Sequence, residues 1–202
     1  MPEIVDQSRY QIRFEWGSAG VSRLAASDVV VIVDVLSAST EVVDAVAAGR
    51  AVPLADTEIA ELAGAAQDAG ALVLLGALRN AAAVAAAVLA EQQRRGARTS
   101  VAVIAAGDAD AAGWRVAVED QLGAGAVIDA LGSLGLDHTS PEAAAACESF
   151  RGLQSAVRHL LTASASGQTL LDAGARDAVL AAATLDATSA VPVLRDGVFV
   201  AA

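Results

Sequence analysis

The stretch DVVVIVDVLSAST, residues 28–40, determines the fold class. Its five consecutive β-branched residues, Val29–Val33, lack the polar alternation of a half-exposed strand and predict a strand buried on both faces. The carboxylate of Asp34 follows directly, and a helix is predicted over 39–48. A buried strand that leads into a helix is the repeating unit of proteins with parallel sheets.

The same alternation continues on both sides of this stretch. A half-buried strand is predicted at 10–16, where polar and apolar residues alternate. Further strands are predicted at 51–55, 72–75 and Val101–Ala105, and further helices at 58–69 and Ala81–Arg95. We therefore expect a three-layer α/β/α fold with a mostly parallel or mixed sheet and right-handed crossovers.

Helices dominate the C-terminal third of the chain. They are predicted at 116–131, from Ser140 onward, at 153–163 and at 176–185. Asp196-Gly197 between two apolar runs predicts a terminal hairpin within 191–200. The length of 202 residues and the lack of a low-complexity linker favour a single domain.

Composition excludes several classes of function. All 13 basic residues are arginines, so Schiff-base and P-loop lysines are excluded. A net charge of −11 disfavours nucleic acid and anionic membranes as partners. The N-terminus lacks the pattern of a signal peptide and Cys147 has no partner for a disulfide, so we expect a cytoplasmic protein with a reduced thiol.

Asp34 is the first candidate for a functional residue, because it follows a buried strand at a helix start. Ligands of open parallel sheets bind at this edge, and the free N–H groups of a helix N-terminus favour anions. Ser37, Ser39 and Thr40 are therefore candidates for binding a phosphate. The alternative is that Asp34 only caps the helix, since Asp, Ser and Thr are ordinary residues at such a junction.

A second group of carboxylates follows the strand Val101–Ala105. Glu119 and Asp120 lie in the first turns of the next helix, and hard oxygen ligands of this kind suit Mg²⁺. Adjacent helical residues diverge by about 100°, so one of the two could simply be solvated. For the preceding loop aspartates, Asp108 and Asp110, the solvated interpretation is favoured.

Arg79 and Asn80 follow the strand predicted at 72–75, at another junction of strand and helix. The guanidinium could bind an anionic group of a substrate through two hydrogen bonds. The amide could contact a ligand or cap the helix, and both alternatives remain open.

Taken together, these segments resemble the Mg²⁺-dependent 2-phosphosulpholactate phosphatase family. The matching segments, in order, are 28–40, 74–85, 103–108 with 117–128, 164–182 and 191–197. The resemblance implies a three-layer α/β protein that hydrolyses a phosphate monoester of sulpholactate, a step of coenzyme M biosynthesis. Asp34, Glu119 and Asp120 would then hold Mg²⁺ or act as base, and Arg79 with Asn80 would meet the acidic end of the substrate.

The departures from the family pattern support a second hypothesis. Ser37 stands where the family usually has arginine, and the SASGQ stretch at 164–168 lacks the family's His and Arg. Only residues 58–71 lie between Thr57 and the strand at 72–75, where the family usually has several tens of residues. The alternative is therefore a degenerate relative that binds an anionic metabolite, or only assembles, without turnover.

The last expectation is a homodimer. The predicted helix Ala81–Arg95 carries Ala or Val on nearly every face of its first ten residues, so it cannot be an ordinary amphipathic surface helix. Small side chains let two helices approach closely, and a two-fold contact would bury one such face. The alternative is that the rest of one chain covers the helix.

Overall fold

A seven-stranded mixed sheet forms the centre of the computed structural model, which describes residues 4–110 and 113–202. In sheet order the strands are β1 (Ile12–Trp16), β5 (Val101–Ala105), β2 (Val29–Val33), β4 (Leu72–Gly76), β8 (Pro192–Arg195), β9 (Val198–Ala201) and β3 (Val52–Pro53). The first four are mutually parallel, and the last three add antiparallel pairs. A separate antiparallel ribbon joins β6 (Asp108–Asp110) to β7 (Gly113–Arg115).

Helices cover both faces of the sheet. On one face lie α1 (Gly17–Arg23), α2 (Ala38–Ala47) and α3 (Ala60–Asp68). On the other lie α4 (Ala81–Arg95), α5 (Val118–Ser133), α6 (Pro141–Leu153), α7 (Val157–Ala163), α8 (Ala165–Asp172) and α9 (Arg176–Ala182). The three-layer α/β prediction is confirmed.

The central strand β2 shows why its sequence is continuously apolar. Val31 packs in the core on the side of α4 and α5, whereas Ile32 packs on the side of α2 and α3. All five residues of β2 are buried. Because both faces of the strand are covered by helices, no position is free for a polar side chain.

Several sequence-based boundaries are wrong. The strand predicted at 51–55 shortens to β3 and is followed by a 3-10 helix, Leu54–Asp56, at the far edge of the sheet. Helix α1 was not predicted, because its sequence GSAGVSR has the glycine and serine content of a loop. The ribbon of β6 and β7 stands where a loop was expected, and α8 was also missed.

The alanine-rich helix α4 has a buried and an exposed side within one chain. Val84, Ala85 and Val88 are fully buried against the sheet and α5, whereas Ala82 and Ala86 are exposed. An exposed alanine face is therefore available for contact with a second chain. The homodimer itself remains a prediction. Among the described residues, no helix has both the length and the apolar character needed to cross a bilayer.

The connections create a crevice at the carboxyl edge of the parallel strands. The chain leaves β2 for α2 on one face and leaves β5 for α5 on the other face. Neighbouring strands whose connections diverge in this way open a ligand-binding crevice between them. Here the crevice lies between the ends of β2 and β5, directly beside Asp34.

Candidate functional site

Asp34 lies in the crevice and caps helix α2 with one of its two carboxylate oxygens. Its Oδ2 accepts a hydrogen bond from the backbone N–H of Ala38 at 3.2 Å. Its own backbone N–H donates to the hydroxyl of Ser39 at 3.0 Å. The capping alternative is thus realised by one oxygen, and the second oxygen has no hydrogen bond within the part of the chain that is described.

The surroundings of Asp34 favour its protonated form. Burial raises the pKa of its carboxyl group from 3.8 to about 7, and the hydrogen bond from Ala38 opposes this rise. The neighbouring negative charges of Glu58, Asp108 and Glu119 contribute to the same rise in pKa. Burial and mutual repulsion of the carboxylates therefore destabilise their charged forms, and a bound cation would relieve this destabilisation.

Asp120 holds the two strand ends together. Its Oδ1 accepts from the N–H of Val35 at 2.7 Å, and its Oδ2 accepts from the N–H of Gly107 at 3.0 Å. Burial, followed by the charge of Asp34, raises the pKa of this fully covered carboxyl group. Because both oxygens bind the backbone after β2 and after β5, Asp120 fixes the width of the crevice.

Glu119 has no such partners. Only 2% of the residue is exposed, yet its Oε2 is the one buried side-chain oxygen or nitrogen without a hydrogen bond in the described ranges 4–110 and 113–202. A buried carboxylate oxygen that lacks a partner is costly to the fold. This oxygen is therefore available to a ligand.

An arginine that the sequence analysis did not single out borders the same crevice. Arg115 forms a salt bridge with Asp108 and donates to the hydroxyl of Ser166 at 3.0 Å. The hydroxyl of Ser166 also contacts Asp108, at 3.3 Å. Asp108 is thus paired rather than simply solvated, and the family-like segment 164–182 was the signal that could have directed attention to Ser166.

These residues enclose a cavity of about 100 Å³, which we call the acidic cleft. Its lining consists of Ser37, Ser166, three apolar or glycine residues and five carboxyl groups, which are those of Asp34, Glu58, Asp108, Glu119 and Asp120. Within the described residues, the lining contains no arginine or histidine. No set of three or more His, Cys, Asp or Glu side chains in those residues is arranged as a ready-made metal site.

The predicted phosphate-binding residues divide into two groups. Ser37 lines the acidic cleft, and its hydroxyl donates to Glu58 at 2.6 Å. The hydroxyls of Ser39 and Thr40 instead donate to backbone carbonyls at the end of β2, at 3.3 and 2.6 Å. Ser39 and Thr40 thus stabilise the turn between β2 and α2, and Ser37 alone contributes to the cleft.

Arg79 and Asn80 do not line the acidic cleft. The guanidinium of Arg79 binds Asp44 of α2 and donates to the carbonyl of Ala181 in α9, both at 2.9 Å. The fully buried Asn80 donates to two backbone carbonyls and accepts from the N–H of Ala77 at 2.8 Å. Both side chains join segments of the fold, and their role in substrate binding remains a prediction.

Replacing Arg79 with alanine tests this structural role. We expect the free energy of unfolding to fall by about 1 kcal/mol, because two hydrogen bonds that join α2 and α9 are lost at a partly exposed position. The KM for a phosphate monoester should stay unchanged. Urea denaturation measures the stability, and initial rates measure KM. An increase in KM without a loss of stability would show that Arg79 binds substrate and has no structural role.

Comparison with known proteins identifies the family of this chain. A family model described as 2-phosphosulpholactate phosphatase matches residues 57–197, which is more than half of the chain. The matched range contains Glu119, Asp120, Arg115 and Ser166, whereas Asp34 lies before it. No curated protein is similar enough to the chain to count as a match.

Proposed function

Because the chain belongs to the 2-phosphosulpholactate phosphatase family, we propose that it hydrolyses a small phosphate monoester with Mg²⁺ bound in the acidic cleft. Family membership supports phosphatase activity in general. The substrate that the family implies is 2-phosphosulpholactate or a close analogue. The residues that surround the crevice between β2 and β5 supply the chemistry for this reaction.

The observation that carries the proposal is the charge of the cleft lining. Five carboxyl groups meet there, and no basic residue of the described chain lines the cavity with them. A phosphate dianion would be repelled from such a site unless a cation entered first. Since Arg115 is engaged with Asp108, the cation has to come from solution.

The donor set fits Mg²⁺. This ion prefers oxygen ligands, keeps several waters, and often needs only one or two carboxylates together with a substrate phosphate. Glu119 offers a buried oxygen without a hydrogen bond, and Asp34 offers its second oxygen. Both would hold the ion, whereas Asp120 uses both oxygens to bind the backbone.

The side chains of the cleft have distinct roles in this scheme. Bound Mg²⁺ supplies neutralisation of the phosphoryl charge and lowers the pKa of a water ligand. Asp34 and Glu119 orient the reacting groups, and either carboxylate can accept a proton from the attacking water. Asp120 keeps the loops after β2 and β5 at a fixed separation, and the hydroxyl of Ser37 donates a hydrogen bond to Glu58 of the cleft lining.

Phosphate release by the purified protein tests the proposal. An aryl phosphate is assayed first, followed by 2-phosphosulpholactate and a panel of phosphorylated hydroxy acids. We expect release in the presence of Mg²⁺, loss of release with a chelator, and recovery when Mg²⁺ is restored. If no compound releases phosphate above the blank, the phosphatase proposal is wrong and the degenerate relative without turnover is the better description.

A further inference from the structure

A second cavity adjoins the acidic cleft. It has a volume of about 390 Å³, and we call it the outer cavity. Asp34, Glu58, Gly107 and Asp108 line both cavities. A further cavity of about 430 Å³, whose lining includes Arg50, shares only Ser37 and Glu58 with the acidic cleft. Because the outer cavity shares four lining residues with the cleft, including Asp34, we place the organic group of a bound monoester there.

The charged residues of the outer cavity are all acidic. They are Asp34, Glu58, Glu61 and Asp108, and no described residue of the lining is basic. Asp108 is balanced by Arg115, and Asp34 would be balanced by the metal ion. Glu58 and Glu61 then remain as the net charge that the organic group of a substrate would meet.

An indole ring forms another part of the same wall. Trp114 of β7 lines the outer cavity and is 52% exposed. Its Nε1–H donates to the carbonyl of Ala106 at 3.1 Å, and its ring packs edge-on against Trp16 at 5.8 Å. These contacts fix the ring, and a fixed indole beside carboxylates is a favourable environment for an organic cation.

Gly107 is the residue that lets the ring approach. Its φ of +72° belongs to the left-handed region, and a Cβ there would lie 2.5 Å from the indole. The close contact places Trp114 directly beside Gly107, the residue that precedes Asp108 at the start of β6. The aromatic and acidic parts of the wall are thus adjacent.

We propose that the substrate of this chain carries an ammonium group in its organic part, bound by Glu58, Glu61 and Trp114. The proposal rests on the phosphatase function proposed above, and it replaces 2-phosphosulpholactate, the substrate that the family implies, with an ester that carries a cationic group. A sulphonate or carboxylate in the outer cavity would face Glu58 and Glu61 without a cation to pair with. A cationic group would instead be attracted by both carboxylates and by the indole ring.

The test compares kcat/KM for three monoesters with Mg²⁺: phosphocholine, glycerol phosphate and 2-phosphosulpholactate. We expect kcat/KM to decrease in this order, by about tenfold or more between phosphocholine and 2-phosphosulpholactate. The reason is that two carboxylates attract a cation and repel an anion by about this much when the effective dielectric constant lies between those of protein and water. Glu61→Gln should reduce the ratio of phosphocholine to 2-phosphosulpholactate about threefold. Glu142→Gln, at an exposed position of α6 that does not line the cavity, should leave the ratio unchanged.

Three outcomes would overturn the proposal. If 2-phosphosulpholactate is hydrolysed as well as phosphocholine or better, the substrate class is wrong while the phosphatase function stands. If Glu61→Gln weakens the affinity for Mg²⁺ and leaves the ratio unchanged, the outer carboxylates serve the metal instead. If none of the three esters is hydrolysed, both the substrate class and the phosphatase function fail.

Discussion

Replacing Asp34 with asparagine should lower phosphate release by about a thousandfold or more, which corresponds to about 4 kcal/mol of transition-state stabilisation. The carboxylate has one oxygen on the N–H of Ala38 and a second oxygen for the metal or for a proton of water. The asparagine carbonyl can retain the first contact. The amide nitrogen cannot replace the second oxygen, because it carries hydrogens and no negative charge.

The same substitution should leave the protein as stable as before, or slightly more stable, without metal. The pKa of Asp34 is about 7 in the folded chain and 3.8 when exposed, so the folded state binds the proton more tightly. Stability of the metal-free protein therefore falls as the pH rises from about 4 to about 7, and this penalty is complete above pH 7. Asp34→Asn removes this penalty, so the melting temperature of the variant should depend less on pH between about 4 and about 7.

Melting curves at several pH values and phosphate release at pH 8 measure the two effects. Asp68→Asn, at the exposed end of α3, is the matched control and should leave both unchanged. An equal loss of activity and stability in Asp34→Asn would identify Asp34 as a helix cap and nothing more.

Gly125→Ala should give the largest loss of stability, about 3 kcal/mol, which is the upper end for overpacking a core. Helix α5 passes α6 at this residue, where a Cβ would lie 2.2 Å from the carbonyl oxygen of Ala146 and 2.7 Å from Cβ of Phe150. A backbone carbonyl cannot move aside as a flexible side chain can. The two helices would have to separate, and the core beneath them would loosen.

Gly132→Ala is the control in the same helix. A Cβ at Gly132 meets no atom within 4 Å, so the higher helix propensity of alanine should raise the free energy of unfolding by up to about 1 kcal/mol. Urea denaturation of the two variants gives the comparison directly. If Gly125→Ala were as stable as Gly132→Ala, α5 and α6 could not pack as the structure describes.

The sequence predicts the sheet better than it predicts the residues around the site. The run Val29–Val33 identifies the central strand, because only a strand covered on both faces is apolar at every position. Asp34 follows from the same run, since the carboxyl end of such a strand is where ligands bind. Both features can be predicted because each depends only on residues that are adjacent in the sequence.

The features of the site region that the sequence does not reveal depend on contacts between distant segments. Arg79 has the position expected of a substrate-binding residue, yet its partners are Asp44 and Ala181, which are 35 and 102 residues away. Arg115 approaches the cleft because it pairs with Asp108 and Ser166, on a short ribbon and on a helix that were not predicted. No local pattern reports on such pairings.

The central claim is that Asp34 and Glu119 together hold one Mg²⁺ in the acidic cleft. Calorimetric titration of Mg²⁺ into chelator-treated protein tests it most directly, with Asp34→Asn, Glu119→Gln and the control Asp68→Asn measured in parallel. The account predicts one ion per chain for the wild type and for Asp68→Asn, and loss of that binding in the other two variants. Wild-type protein that binds no Mg²⁺, or binding that is undiminished in Asp34→Asn and Glu119→Gln, would contradict it.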